Sequence, residues 1–481
     1  MSAQVRALAP QSVWNHFADL NAIPRASKRE ERVAEFVRAF GQKLGLEVLS
    51  DQEGNVIIKK PGSPGREKRK PVIMQAHLDM VHQKNEGTNF DFDTQGIEMY
   101  VDGDWVRARG TTLGADNGLG AASIMAVLAS KDLVHPPIEA LFTLDEEAGM
   151  GGAKNLGKGL LKGKILLNLD TEEDHVFTIG CAGGLDTLVE WTYKEEAAPA
   201  GAQGYRIVLN GLKGGHSGMD IIKGLGNANK LMNRILLACA AKGGLRLAEL
   251  TGGSVRNAIP RESQAWVATT KPAALEKAFK VITQDLKAEF ASLEPDLQIS
   301  LSPAAAPAQV MRKREQQRLL LAVAAAHNGV FRMSPDVPGL VETSSNLANI
   351  VMKNGRFECG ALQRSAIESG KMAVAAAYRA PFELLGAKIE HANGYPGWKP
   401  NPNSPLLHKM VAQYEKMFGE KPVVEACHAG LECGIIGERY PGLDMISFGP
   451  NIFGAHSPDE RASISSFQKF WQFLVATLAG I

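Results

Sequence analysis

Apolar residues at Val33, Phe36, Val37, Phe40 and Leu44 recur at helical spacing, and Ser27-Lys-Arg-Glu30 before them reads as a capping box. A helix is therefore expected there, with Gly45 as its stop. LEVLS and NVIIKK then alternate about Glu53-Gly54 as a hairpin, and PVIMQAHLDMV reads as a strand buried on both faces. Next come a hairpin about Asp102-Gly103, the Gly-rich loop GTTLGADNGLG, an apolar helix near AASIMAVLAS, and two more apolar strands in IEALFTLDEE and KILLNLDTE. Strands alternating with helices predict the α/β class with a mixed, mostly parallel sheet. In such sheets the site lies at the carboxyl ends of the strands. HLD, DEE and LDTE all fall there.

From about Gly184 the texture changes. YKEEAAPAGAQG reads as a linker, followed by strand YRIVLNGL, a helix through NKLMNRILLACAA, strand ESQAWVATT, helix AALEKAFKVITQDLKAEF and strand LQISLS. This pattern predicts a second α/β layer inserted into the first, because HANGYPGWKPNPNSP near residue 400 punctuates the chain before another helix and the short strand DMISFGP.

A chain of 481 residues is too long for one usual core, so two domains are expected. A net charge of +1 sets up no overall field toward nucleic acid or an anionic membrane, and a small neutral or zwitterionic substrate fits better. No segment approaches the roughly 20 apolar residues of a membrane span, and no signal-peptide pattern opens the chain, which makes the cytoplasm the expected compartment. The five cysteines are scattered, odd in number and without a C-x-x-C pair. A disulfide framework and a thiolate zinc site are both disfavoured, so any metal must be held by imidazole and carboxylate.

Several residues carry candidate chemistry. His77 and Asp79 are two apart on a strand and share a face, so Asp79 can fix the tautomer of His77 as a metal ligand; a satisfied buried histidine is the alternative. Asp116, between glycines before an apolar helix, reads as a ligand or as a helix N-cap. Phosphate binding by that loop is disfavoured, because it lacks a Gly-Lys-Ser/Thr ending and bears an anion. Asp145-Glu146-Glu147 places three carboxylates where a buried strand meets a turn, which calls for a cation, for protonation or for solvation. Asp170 repeats the arrangement, with Glu172, Glu173 and Asp174 read as solvated. His456 follows a late strand in a Gly/Pro-punctuated loop.

Taken in order, His77-x-Asp79, Gly114-Ala-Asp116-Asn-Gly118, Asp145-Glu146-Glu147, Asn168-Leu-Asp170 and Ala455-His456-Ser-Pro resemble the motifs of the M20 family of co-catalytic metallopeptidases, most closely its histidyl-dipeptidase branch. The likeness spans essentially the whole chain and extends to GGHSG around His216, SVRNAIP around Asn257, ALQRS around Arg364 and CHAGLECG around Gly430. The resemblance implies two divalent metal ions, zinc first, with cobalt or manganese also able to use the ligands. Asp116 then bridges them, His77 and Asp170 complete one site, and Glu147 and His456 complete the other. Glu146 is implied as the general base, with Asp79 as its catalytic companion. Arg364 is the first candidate for the substrate carboxylate, with Asn257 and Gly430 supporting, and a surface ion pair as the alternative. His216 is implied as a substrate contact that in related dimers reaches the partner's active site; a polar turn residue is its alternative.

The family's architecture implies a di-zinc catalytic domain from residues 1–185 and 396–481, interrupted by a lid and dimerisation domain over 186–395. The implied activity is hydrolysis of dipeptides, Xaa-His and β-alanyl-histidine included, by a cytoplasmic homodimer that binds neither nucleic acid nor membrane. An aminoacylase or carboxypeptidase of the same family, and a non-catalytic metal-binding protein, are the rivals.

Overall fold

The structure is a computed structural model that describes residues 2–481. The chain divides into two units: one runs to Gly180 and includes Pro400–Ala426 and Leu431–Ile481, and the other comprises Cys181–Lys399 and Cys427–Gly430.

The first unit is built on an eight-stranded sheet whose central strands, in spatial order, are Ile138–Thr143, Val72–His77, Ile165–Asn168 and Asp444–Ser447. These four run parallel, while Val56–Lys60 and Glu47–Ser50 add antiparallel strands at one edge. Every residue of Val72–His77 and Ile138–Thr143 is buried, as strands covered on both faces must be. Helices Gln11–Asn21, Ala115–Ala129, Pro405–Phe418 and Ile464–Gly480 contribute to the surrounding core. Within it Phe177 stacks on Phe473, and Tyr414 meets both edge to face.

The second unit carries a nine-stranded sheet with long central strands Val341–Lys353 and Arg356–Ser365, antiparallel at each pairing. Helices Ala228–Gly243, Lys313–Ala325 and Glu368–Leu385 bury apolar residues in a core of their own. Among the described residues, no helix is long and apolar enough to cross a membrane.

Three expectations are corrected. Ser27 and Glu30 do not form a capping box: the helix begins at Glu31 with no side-chain cap. Both residues are used elsewhere, since the Ser27 hydroxyl donates to Asp79 Oδ2 (2.7 Å) and Glu30 Oε1 accepts from the Asp145 amide (2.8 Å). The segment read as a linker contains a short strand, Glu195–Ala197, paired with Gln309–Met311. The helix after the Gly-rich loop also starts earlier than its apolar run suggests, at Ala115, with non-helical backbone at Asp116 and Asn117. Gly45, at φ 71°, stands where the first amphipathic helix ends.

Candidate metal centre

Strand register brings three strand ends level. His77 pairs with Thr143, and Gln75 with Asn168, so the residues that follow these strands emerge at one edge of the sheet. His77 is fully buried. Its Nδ1 lies 3.1 Å from the Asp79 carbonyl oxygen and 3.3 Å from Asp79 Oδ1, which places the proton on Nδ1. Nε2 is then the free lone pair, 3.0 Å from Asp116 Oδ1 and 3.5 Å from Asp170 Oδ1. A lone pair aimed at two carboxylates requires a proton or a metal cation between them.

The other oxygen of Asp116 faces a second imidazole. Asp116 Oδ2 is 3.2 Å from His456 Nε2, which is also 2.9 Å from Glu147 Oε2. Two trios therefore share Asp116: His77 with Asp170, and Glu147 with His456. Glu146 groups with His77 and Glu147. Asp79 binds the acidic turn as well, accepting from the Glu146 and Glu147 amides at 3.1 Å each. Asp145 points elsewhere. It and His456 are non-glycine residues at φ 57° and 64°, a left-handed conformation that costs roughly 1–2 kcal/mol and is concentrated at functional sites.

The electrostatics are those of an acidic cluster with too few cations. Burial alone lowers the His77 imidazole, yet Asp170, Asp116 and Asp79 carry it well above its ordinary range. Hydrogen bonds donated by its ring to the Asp116 and Glu147 carboxylates push His456 up to about 11. Burial raises Asp116, but both imidazoles hold it well below the usual carboxylate range. Glu146 is raised well above that range, first by burial and then by Asp170, Glu432 and Glu147. Glu147 Oε1 is buried without a hydrogen-bond partner among the described residues. Mixed imidazole and carboxylate donors, with one such oxygen left over, fit zinc, cobalt or manganese.

The second unit gathers part of the remaining set. His216 lies on the two-residue strand Gly215–His216, paired with Ala258–Ile259, and the neighbouring Ser217 amide donates to the Asn257 carbonyl (2.8 Å). The buried Arg364 donates to the Tyr395 hydroxyl (3.0 Å), and its Nη2 is 3.3 Å from His216 Nε2. His216 Nδ1 accepts the Met219 amide (3.1 Å), so the ring proton is on Nε2. Burial and Arg364 push His216 down to about 4, which keeps it neutral. Two donors thus face each other, an arrangement that an anionic oxygen would satisfy. Asn257 is exposed and joins this group through its backbone, while Gly430 follows His428 two residues later.

Sequence patterns alone left several residues here unmarked. His428, in CHAGLECG, is buried and bonded to the Ser344 hydroxyl at 2.8 Å. Tyr395, at the end of a strand, had no motif to mark it. Glu172, read as solvated, is half-buried, and burial with Asp116 and Asp170 pushes its carboxyl up to about 8.

This sheet, with acidic and imidazole groups at its strand ends, has the fold of a known group of peptidases. The model of peptidase family M20/M25/M40 matches residues 73–480, and the chain belongs to that family. The chain is 43% identical over 481 residues to the cytosol non-specific dipeptidase of Escherichia coli (strain K12), covering 100% of this chain and 99% of that protein. A crystal structure of aminoacylhistidine dipeptidase from Vibrio alginolyticus superposes with a TM-score of 0.94 at 46% identity, over 99% of this chain and 98% of that one. The aminopeptidase PepT from Bacillus cereus shares the fold at 16% identity and a TM-score of 0.56, over 98% of each chain.

The surrounding carboxylates favour the protonated form of both centre imidazoles, whereas a metal ligand must be deprotonated. Below its unfolded value of 6.5 the raised His456 stabilises the metal-free fold fully, and that contribution is lost as pH rises through about 11. Zinc uptake by chelator-stripped protein at pH 7 is therefore expected to release protons. Binding enthalpies measured in buffers of different ionisation enthalpy should differ accordingly, and buffer-independent enthalpies would contradict protonated His77 and His456 in the metal-free centre.

Proposed function

We propose that this protein is a metallo-dipeptidase that hydrolyses dipeptides, preferentially Xaa-His substrates including β-alanyl-histidine. The observation that carries the reading is the sharing of Asp116 between the His77–Asp170 pair and the Glu147–His456 pair. Two relatives above 40% identity, a cytosol non-specific dipeptidase and an aminoacylhistidine dipeptidase, support the coarser reading of dipeptide hydrolysis. On this reading His77, Asp116 and Asp170 hold one divalent ion and Asp116, Glu147 and His456 hold the other, zinc first. When bound, such a pair supplies Lewis-acid polarisation of the scissile carbonyl and a water of lowered pKa.

The remaining chemistry belongs to the chain. Glu146 takes the proton of the attacking water and delivers it to the leaving amine; a carboxylate raised in pKa by burial is the stronger base for this step. Asp79 keeps the His77 proton on Nδ1 and leaves Nε2 free to ligate. Arg364, whose planar fork matches a carboxylate, takes the dipeptide's terminal carboxylate. The Nε2 proton of His216 stabilises charge developing on the carbonyl oxygen. Asn257 and Gly430 add polar contacts to the substrate. Residues 186–395 as a lid and dimerisation domain, a homodimer and a cytoplasmic location belong to the same reading.

The test is product release by chelator-stripped protein, before and after adding zinc, cobalt or manganese, on Xaa-His dipeptides, tripeptides and N-acetyl amino acids. Metal-restored cleavage confined to dipeptides supports the reading. Cleavage of acetylated amino acids or longer peptides instead would favour the aminoacylase or carboxypeptidase alternative. Two variants assign roles. Glu146→Gln is expected to keep both metals while kcat falls by roughly 100- to 10,000-fold, the usual worth of a positioned base. Arg364→Ala is expected to raise KM for dipeptides, and unchanged kinetics would remove it from the substrate site.

A further inference from the structure

Two fully buried charged side chains lie beside the centre without reaching it as ligands. Arg25 is 1% exposed and Glu460 is 2% exposed, although both residue types normally remain at the surface. Arg25 Nη1 donates to the carbonyl oxygens of Leu78 (3.0 Å) and Asp79 (3.2 Å). Its Nη2 donates to Asn21 Oδ1 (2.9 Å) and to the carbonyl oxygen of Gly114 (2.6 Å). Glu460 accepts four successive amides: Oε2 takes those of Leu113 (2.6 Å) and Gly114 (2.8 Å), and Oε1 takes those of Ala115 (2.7 Å) and Asp116 (3.2 Å).

The first amides of a helix have no partner within it, and Gly114, the cap of the Ala115–Ala129 helix, has no side chain to supply one. Glu460 provides the acceptor from a distant part of the chain, through charge-assisted bonds roughly twice as strong as neutral ones. Space is reserved for the guanidinium as well. A Cβ on Gly114 would lie 2.4 Å from Arg25 Nη2 and one on Gly118 would lie 2.7 Å from it, so both glycines of the GADNG motif are set by this side chain.

The segments these two residues hold are the ones that carry the centre. Arg25 ties the end of the His77 strand to the loop before Asp116. Glu460, four residues after His456, ties the His456 loop to the amides that lead into Asp116. Their hydrogen bonds go to backbone groups and to Asn21, and the two sets meet at Gly114, two residues before Asp116: its carbonyl accepts from Arg25 and its amide donates to Glu460.

We propose that Arg25 and Glu460 are positioning residues that hold the Asp116 carboxylate between His77 and His456, so that their loss weakens metal binding in a chain that still folds. This inference rests on the reading that Asp116 is shared by two metals. Its mechanism is geometric: with the amides of residues 113–116 released, Asp116 no longer presents one oxygen to each imidazole. Glu460→Gln keeps the shape but turns an NH2 group toward amide donors. Arg25→Lys keeps the charge but cannot span the separate carbonyl oxygens.

The experiment uses zinc alone, added to stripped full-length protein and measured by competition with a chromophoric chelator. Each variant is assayed at a temperature where circular dichroism shows it folded. Glu460→Gln and Arg25→Lys should each lower zinc affinity by about 10- to 100-fold, the range found when support of metal ligands is removed. They should also lower kcat more than they change KM. Glu460→Asp, which keeps the charge, should recover part of the affinity if the first variant is too unstable to assay. Folded variants with wild-type zinc affinity and only a lower melting temperature would overturn the inference. Asp116→Asn is the control: if it binds two zinc ions as tightly as the wild type, the underlying reading falls and the inference with it. If that control loses zinc while the Glu460 and Arg25 variants do not, the inference alone falls.

Discussion

The structure turns on the mutual repulsion of four carboxylates, Asp116, Asp170, Glu146 and Glu147, gathered around two imidazoles. At 4 Å and an effective dielectric of about 20, each pair of like charges costs about 4 kcal/mol. No fold keeps such a cluster without something to offset it. Burial first, and then neighbouring carboxylates, raise the carboxyls of Glu146, Glu147 and Asp170, while the same carboxylates raise the imidazoles of His77 and His456, so both reflect an excess of negative charge. Divalent cations remove it more completely than protons do, which ties the acidity of the site to the metal chemistry proposed for it.

Much of the first unit exists to hold that cluster in place. Parallel strands in fixed register deliver His77, the acidic turn and Asp170 to one edge, and buried polar groups then set the loops beyond the strands. Asp79 serves twice, orienting the His77 ring and capping the amides of Glu146 and Glu147. Ser27 and Glu30, in turn, are drawn from the start of a helix to fix Asp79 and Asp145. A helix forgoes its own cap here so that two loop residues are held, a local rule broken where the site needs it.

What the sequence made legible follows from period and spacing. The buried strands Val72–His77 and Ile138–Thr143 are continuous apolar runs, with His77 at the end of one and the Asp145-Glu146-Glu147 turn just after the other, so both the sheet and the placement of its acidic ends could be read. The hairpin of Val341–Lys353 and Arg356–Ser365 was not assigned, although Asn354-Gly355, at φ 52° and 75°, is a strong turn signal. The capping box failed because a four-residue pattern cannot show that tertiary partners claim its side chains. Arg25 and Glu460 were passed over because their meaning lies in backbone groups about 90 and 345 residues away. His428 and Tyr395 were hidden for the same reason: their partners Ser344 and Arg364 are remote in the chain.

A shared carboxylate at Asp116 is best tried by titrating zinc into stripped protein while following bound metal per chain and dipeptide hydrolysis in the same samples. Negligible hydrolysis without metal and a plateau at two ions per chain are expected, with activity appearing as the sites around Asp116 fill. Hydrolysis that persists in metal-free protein, or binding that saturates at one ion with full activity, would contradict a two-metal centre built on that residue.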